Sequence, residues 1–526
     1  MTSSFSVGLD TLCARSPTFF GPVVQRMLDR WSGHVKRASA ARETIPRMTP
    51  DALSRRELLE RSAVGAALLF GAGVVPAEAQ QRLPASQLRQ LRAAVRGRVL
   101  APGNPGYNSA RVIFNRRFDG IRPPAVVQVR DAADVQATVR WAARHDVPLV
   151  SRSGGHAYNG ASTSRNAVVV DVGGLDGISL SGTTATIGPG AELIDVYAGL
   201  ARRGATVPAG SCPTVAIGGL ALGGGVGLAG RALGLTLDRI TRFDVVTADG
   251  QQKRVDATHE PDLYWALRGG GGSFAIVTAI YLRAQRVSRA AWFRITYPSG
   301  SRADALAAWD DLAPSAPQAL TSICSLTGSG ASVFGQYLGS ESALRRLVAP
   351  LARVPGAQLS AGTSGYLALQ RRWAGCSEGP LSGCTSPRST FDASSIYVAR
   401  KLSGAGRRAF VRAADSGATL ICDSYGGAIG EVAPDATAFV HRNVRFSVQI
   451  LSYASLGTAR ARVRGARRLI APFGNGQAYQ NYSDLDLSGP LKAYYGANRS
   501  RLVAIKTAVD PDDRFQPAQG IRPRST

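Results

Sequence analysis

The placement of glycine restricts this chain more than any other feature. An apolar run from Gly210 to Gly230 contains Gly218-Gly219, Gly223-Gly224-Gly225 and Gly227. Backbone with so few side chains can come close to something flat or anionic. A second cluster, Ser151-Arg152-Ser153-Gly154-Gly155-His156, follows a short apolar segment. A third, Arg268-Gly269-Gly270-Gly271-Gly272-Ser273-Phe274, precedes another. Successive N–H groups released by glycine can converge on an anion such as a pyrophosphate. No G-X-Y period runs through the sequence, so a collagen-like helix is excluded. Gly225-Val226-Gly227-Leu228-Ala229-Gly230 has the form G-x-G-x-x-G. A nicotinamide site of that form needs a strand directly before it. The preceding residues are themselves glycine-rich, which argues against one.

The segments around these clusters alternate in type. Ala125–Val129, Pro148–Val150, Ala167–Val172 and Phe274–Leu282 are short apolar runs with the length of buried strands. Asp134–Arg144 and Ala191–Arg203 carry apolar residues at helical spacing. Asp249-Gly250 joins two strand-like segments as a hairpin turn. Together they predict a lobe of strands and helices over 118–286. From 287 to 474, segments such as Trp292–Thr296 and Val444–Ile450 alternate apolar and polar residues, which predicts half-exposed antiparallel strands with helices between them. A tail, 475–521, is rich in Tyr, Asn and Asp. The expected class is α+β. With 44% hydrophobic and 19% charged residues the chain can bury a large core, so disorder is excluded as its main state.

The three glycine clusters together resemble the FAD-binding lobe of the vanillyl-alcohol-oxidase, or PCMH-type, flavoproteins. Tyr479-Gln480-Asn481-Tyr482-Ser483-Asp484, Tyr494-Tyr495-Gly496-Ala497-Asn498 and Asp510-Pro511-Asp512-Asp513-Arg514-Phe515 narrow this to the berberine-bridge-enzyme-like branch. The resemblance implies a two-subdomain FAD-binding lobe, a substrate lobe with an antiparallel sheet covered by helices, and a tail returning to the FAD lobe. It also implies FAD bonded covalently to both His156 and Cys212. The other cofactor contacts it implies are Arg152, Ser153, Gly154, Gly155, Val215, Gly218, Gly219, Gly224, Gly225 and Asn481. Where many relatives carry histidine after the paired glycines, this chain has Leu220. The resemblance places a base in the Tyr-x-Asn-Tyr-x-Asp strand, Tyr482 before Tyr479, and gives Gln449 a substrate-orienting role. At Val215 it implies a gate for dioxygen.

That reading is of an FAD-dependent oxidoreductase acting on CH–OH donors. It would move a hydride from an alcohol or hemiacetal carbon to flavin, with dioxygen reduced to hydrogen peroxide. A small-molecule substrate and dioxygen are the expected partners, and a monomer the expected state. Oxidative ring closure of an alkaloid-like metabolite and a catalytically silent flavin or carbohydrate binder are the competing readings. Lys and Arg total 62 against 36 Asp and Glu, a net +26. The charge is spread along the chain without a basic run or a zinc-finger or RRM signature, so no nucleic-acid partner is expected. No C-x-x-C or H-E-x-x-H occurs and no metal is expected.

Ser54-Arg55-Arg56, the apolar stretch Ala63–Val75 and Ala77-Glu78-Ala79 form a twin-arginine-like export signal over 48–79. The stretch is shorter than the roughly 20 residues that span a bilayer. A start at Met48 makes 1–47 a mis-called extension, and the mature chain then begins near Gln80. A secreted or periplasmic protein without a membrane anchor is expected. Cys13 falls before that start and Cys212 goes to flavin. Cys376 and Cys384 close a short Gly/Pro loop as a disulfide, and elimination pairs Cys324 with Cys422.

Overall fold

The computed structural model describes residues 82–377 and 379–524. The extension (1–47), the export signal (48–79) and Cys13 lie outside the described residues. The first strands are β1 (Arg98–Leu100), β2 (Val126–Gln128), β3 (Leu149–Arg152) and β4 (Val168–Asp171), arranged β1-β2-β4-β3. β2 and β3 run parallel to β4, which is why they read as continuous apolar runs: both faces are covered. The helix α1 (Ala132–Arg144) connects β2 and β3, its first turn capped by the Asp131 carboxylate. It buries Val135, Val139 and Trp141 against this sheet. Leu91, Val95 and Val99 join the same core, so the sheet begins well upstream of 118.

The next strands are β5 (Ile178–Ser181), β6 (Thr184–Ile187), β7 (Ala205–Thr206), β8 (Ile240–Val246), β9 (Gln252–Asp256), β10 (Ile276–Arg283) and β11 (Gln285–Arg286). Five form an antiparallel sheet ordered β5-β6-β10-β8-β9, while β7 pairs with β11. The expected turn at Asp249-Gly250 joins β8 to β9, with Gly250 at φ +74°, a conformation that disfavours any side chain.

The third sheet holds β12 (Arg289–Pro298), β13 (Leu320–Thr327), β14 (Gly330–Tyr337), β15 (Gln358–Gly365), β16 (Asp392–Val398), β17 (Thr419–Ser424) and β18 (Phe446–Ser452). Its order is β15-β12-β14-β13-β17-β18-β16, antiparallel throughout. The helices α2 (Arg302–Ser315), α3 (Gly404–Asp415) and α4 (Leu456–Ile470) cover one face, burying Leu420, Cys422, Val448 and Ile450. β12 alternates buried and half-buried positions as expected, but every residue of β18 is buried. The alternation along β18 separates two interiors: one under the helices, the other a cavity shared with the FAD-like lobe.

Cys376 and Cys384 form the expected disulfide. The second expected bridge is not formed. Cys324 and Cys422 face each other in register on β13 and β17, yet both are buried free thiols in the core beneath the helices. Burial pushes both thiols above their ordinary range, so they pack as small apolar groups. Elimination counts sulfurs and says nothing of what surrounds them.

The tail returns to the first sheet. The Leu149 N–H donates to Arg514 O at 2.8 Å and the Gln516 N–H to Leu149 O at 2.9 Å, adding residues 514–516 to the edge of β3. Lys506, fully buried, donates to Ser273 O at 2.8 Å, Phe515 O at 3.0 Å and the Asp510 carboxylate at 2.5 Å.

Candidate active site

All three glycine clusters contribute to the wall of one cavity of about 310 Å³. The chain leaving β3 supplies Ser153, Gly154, Gly155 and His156. The segment before and within a short helix (Ile217–Gly223) supplies Cys212, Val215, Gly219 and Leu220, and the third cluster supplies Gly270–Ser273. His156 stacks on Phe114 with ring centroids 4.0 Å apart, and its Nε2 lies 3.1 Å from Thr214 Oγ1. Burial lowers the imidazole to about 4, so it stays neutral and keeps a lone pair. Cys212, two residues before Thr214, lines the same wall.

Not every expected cofactor residue reaches the cavity. Arg152 turns away: it is buried, paired with Asp171 at 2.7 Å, and it donates to Ala110 O at 2.5 Å. Gly218, Gly224 and Gly225 are also absent from the lining. Their missing side chains make room for protein. A Cβ on Gly218 would lie 2.5 Å from Ser153 Oγ, one on Gly224 2.7 Å from the Tyr479 hydroxyl, and one on Gly225 2.0 Å from Thr236 Oγ1. Gly219 is the converse, since a Cβ there would meet nothing within 4 Å. The helix before the G-x-G-x-x-G segment excludes a strand-led nicotinamide site.

The opposite wall comes from the third sheet and the tail. Strand alternation puts Asp423 of β17 and Gln449 of β18 on the face away from the helices, and both line the cavity with Ile323 of β13. The Tyr482 hydroxyl donates to Asp423 Oδ2 at 3.3 Å, and Ser447 Oγ donates to the same oxygen at 3.0 Å. Burial raises the Asp423 carboxyl to about 7. The Gln449 amide donates to the Tyr158 hydroxyl at 2.6 Å, while its own Oε1 is buried without a hydrogen-bond partner.

Tyr479 and Tyr482 sit at a 3-10 turn (Gln480–Tyr482) and not in the expected strand. Their environments differ. Tyr479 is 1% exposed and its hydroxyl accepts from Gly225 N at 2.9 Å and Asn481 Nδ2 at 3.0 Å, so it pins the glycine run. Tyr482 is half-buried and lies against the cavity's carboxylate.

Sequence reasoning missed Asp423, Tyr158, Phe391, Tyr453 and Thr214. Phe391 meets Tyr158 edge-on at 4.9 Å and Tyr453 at 5.6 Å, forming an aromatic wall. Two signals were available: Asp423 is an acid in the otherwise apolar Leu420-Ile421-Cys422, and Tyr158 stands two residues after His156.

The lining fits a flavin dinucleotide on its own chemistry. It joins apolar Val215, Leu220, Leu222 and Val226 to the hydroxyls of Ser151, Ser153, Ser211 and Ser273 and to glycine backbone, with neither Lys nor Arg among the described lining residues. Ser162 Oγ and Gln480 Oε1, like Gln449 Oε1, are buried there without partners.

The family model for an FAD binding domain matches residues 123–256, and the model for berberine and berberine-like proteins matches 478–522. The FAD-linked oxidoreductase YgaK of Bacillus subtilis is 31% identical over 81% of this chain and 97% of its own length. A solved structure of a berberine-bridge-enzyme-like protein, BBE-like 1 of Physcomitrella patens, is 33% identical, with a TM-score of 0.80 over 84% of this chain and 100% of its own. This chain belongs to the berberine-bridge-enzyme-like family. It is an FAD-linked oxidoreductase with the family's α+β fold. Among its berberine-bridge-like relatives is a chitooligosaccharide oxidase of Gibberella zeae, 28% identical over 81% of this chain and 92% of its own length.

Proposed function

We propose that this protein is an exported FAD-dependent oxidase that takes a hydride from an alcohol or hemiacetal carbon of a sugar or oligosaccharide and passes the electrons to dioxygen. The observation that carries the reading is the Tyr482–Asp423 pair set across one cavity from His156 and Cys212. Bound FAD supplies the hydride acceptor. His156 would hold it covalently, and Cys212, disulfide-bonded in this structure, would do so once that bridge is opened; Ser153, Gly154, Gly155, Gly219, Asn481 and Gly270–Ser273 line the cavity that would take it.

The chain's own residues carry the proton. Tyr482 receives it from the substrate hydroxyl and gives its own to Asp423 Oδ2. Burial raises the Tyr482 phenol well above its ordinary 10, so a free tyrosinate is disfavoured. A carboxylate near 7 takes the proton without one. Gln449, anchored on Tyr158, offers Oε1 to a substrate hydroxyl. Tyr158, Phe391 and Tyr453 exclude water and present ring faces to the C–H face of a sugar. The chitooligosaccharide oxidase among the relatives supports this substrate class. Export rests on Arg55-Arg56, the apolar stretch and Ala77-Glu78-Ala79; no helix among the described residues is long and apolar enough to cross a membrane.

Purified exported protein should be yellow, keep its colour in the pellet after acid precipitation, and bleach anaerobically with a member of a panel of neutral oligosaccharides. Air should restore the colour with release of hydrogen peroxide. Bleaching by none of the sugars, or loss of all flavin to the acid supernatant, defeats the corresponding part of the reading.

A further inference from the structure

We propose that Ser447 is a positioning residue for the proton transfer, its hydroxyl keeping the Asp423 carboxylate ionised and aimed at Tyr482. The inference rests on the reading that Asp423 takes the Tyr482 proton. Asp423 on β17 and Ser447 on β18 are directly opposed in register, in one row with Ile323 of β13 and Tyr397 of β16. Side chains opposed in this way share a face of the sheet, here the face away from the helices. Ser447 is fully buried, and the cavity is lined without it. A buried hydroxyl costs free energy unless it finds a partner, and this one donates to Asp423 Oδ2 at 3.0 Å. The Tyr482 hydroxyl reaches the same oxygen at 3.3 Å. A carboxylate oxygen has two lone pairs and only accepts, so both hydroxyls donate to it. The other ionisable groups that face Asp423 are phenols: Tyr158 after His156, Tyr479 beside the 3-10 turn and Tyr425 just past β17. Burial keeps all three neutral. Neither Lys nor Arg is among the described lining residues. Ser447 and Tyr482 are thus the donors that offset burial of the charge.

In the step itself the Tyr482 O–H bond breaks as that proton bonds to Asp423 Oδ2, and the phenol oxygen takes the proton of the substrate hydroxyl. One proton moves from substrate to carboxylate, and no electrons are exchanged between the side chains. Ser447 keeps its own proton and its hold on the other lone pair of Oδ2. It acts through Asp423 from outside the cavity lining.

The test reads the charge on Asp423 without turnover and then with it. Infrared titration of the purified full chain should show a carboxylic C=O band that is absent from Asp423→Asn and that fades around pH 7 in wild type. In Ser447→Ala the band should persist to a pH higher by about one to two units, the worth of one hydrogen bond to a charged group. The pH profile of flavin reduction in stopped-flow should move up by the same amount, which below pH 7 lowers the rate about tenfold or more. The sugar concentration giving the half-maximal rate should stay where it is. Ser447→Thr, which keeps the hydroxyl, should restore both midpoints. Unshifted midpoints in Ser447→Ala, a loss of rate equal at every pH, or a shift in Ser447→Thr as large as in Ser447→Ala would each overturn the proposal. A wild-type rate and pH profile in Asp423→Asn would instead remove the role of Asp423 on which it rests.

Discussion

Asp423 is an acid on a buried strand face, and its behaviour follows from that position. Its folded pKa of about 7 lies above the ordinary 3.8. The neutral acid's contribution to stability is therefore intact below pH 4 and lost as pH rises toward 7. Asp423→Asn should gain melting temperature over wild type across that window and keep a constant advantage above it, read in a pH series of thermal melts. Catalysis runs the other way, since only the carboxylate can take a proton. Flavin reduction by substrate should rise with pH to a plateau above about 7. Asp423→Asn and Tyr482→Phe should each remove that rise and slow reduction about 10²–10⁴-fold in stopped-flow. Val215 belongs to the same scale. Val215→Leu adds one methylene to a packed wall, enough to close a space the size of dioxygen. It should slow reoxidation of the flavin and leave reduction nearly unchanged, with the two half-reactions measured separately.

At the scale of elements, the disulfide-closed loop Cys376–Cys384 leads into the segment that carries Phe391. Arg388 donates to Ile113 O at 2.7 Å and Asn115 Nδ2 to Phe391 O at 3.0 Å, fastening this segment to the flavin side of the cavity. Replacing both cysteines by serine should cost about 2–3 kcal/mol in denaturant unfolding, the chain-entropy value for a short loop. The strands and helices of the first lobe were legible because their apolar runs match their burial. β18 was read half right. Its alternation is real, but the polar face lies against a second interior where water was expected, and no local pattern distinguishes the two. Tyr479 and Tyr482 were found as residues and misplaced as a strand. Their alternation with Gln480 and Asn481 comes from a tight turn whose residues pack on both sides.

At the scale of the molecule, a few buried ion pairs tie distant segments together. Arg442, with a fully buried side chain, makes two bonds of 2.9 and 2.8 Å to Asp238, joining the segment before β18 to the lobe that carries the glycine run. Arg442→Met would leave that buried carboxylate without its ion-pair partner, held only by the Leu235 N–H at 2.9 Å, and should cost about 3–5 kcal/mol. Calorimetry on the full chain should register it as a lowered unfolding transition.

Glycine clusters, buried runs and the Tyr-x-Asn-Tyr-x-Asp segment each depend on neighbours close in sequence, so the family and the cofactor class were legible there, and His156 and Cys212, picked out from their motifs, line one cavity. Tertiary structure decided the rest. It set Asp423 beside Tyr482, which lies 59 residues away. It turned Arg152 into an ion pair, gave Gly218, Gly224 and Gly225 to protein packing, and left Cys324 and Cys422 as thiols. These outcomes depend on what stands opposite a side chain across the fold. Burial sets the charge state of an acid, and the atom facing a glycine settles whether its space belongs to a ligand or to the protein itself.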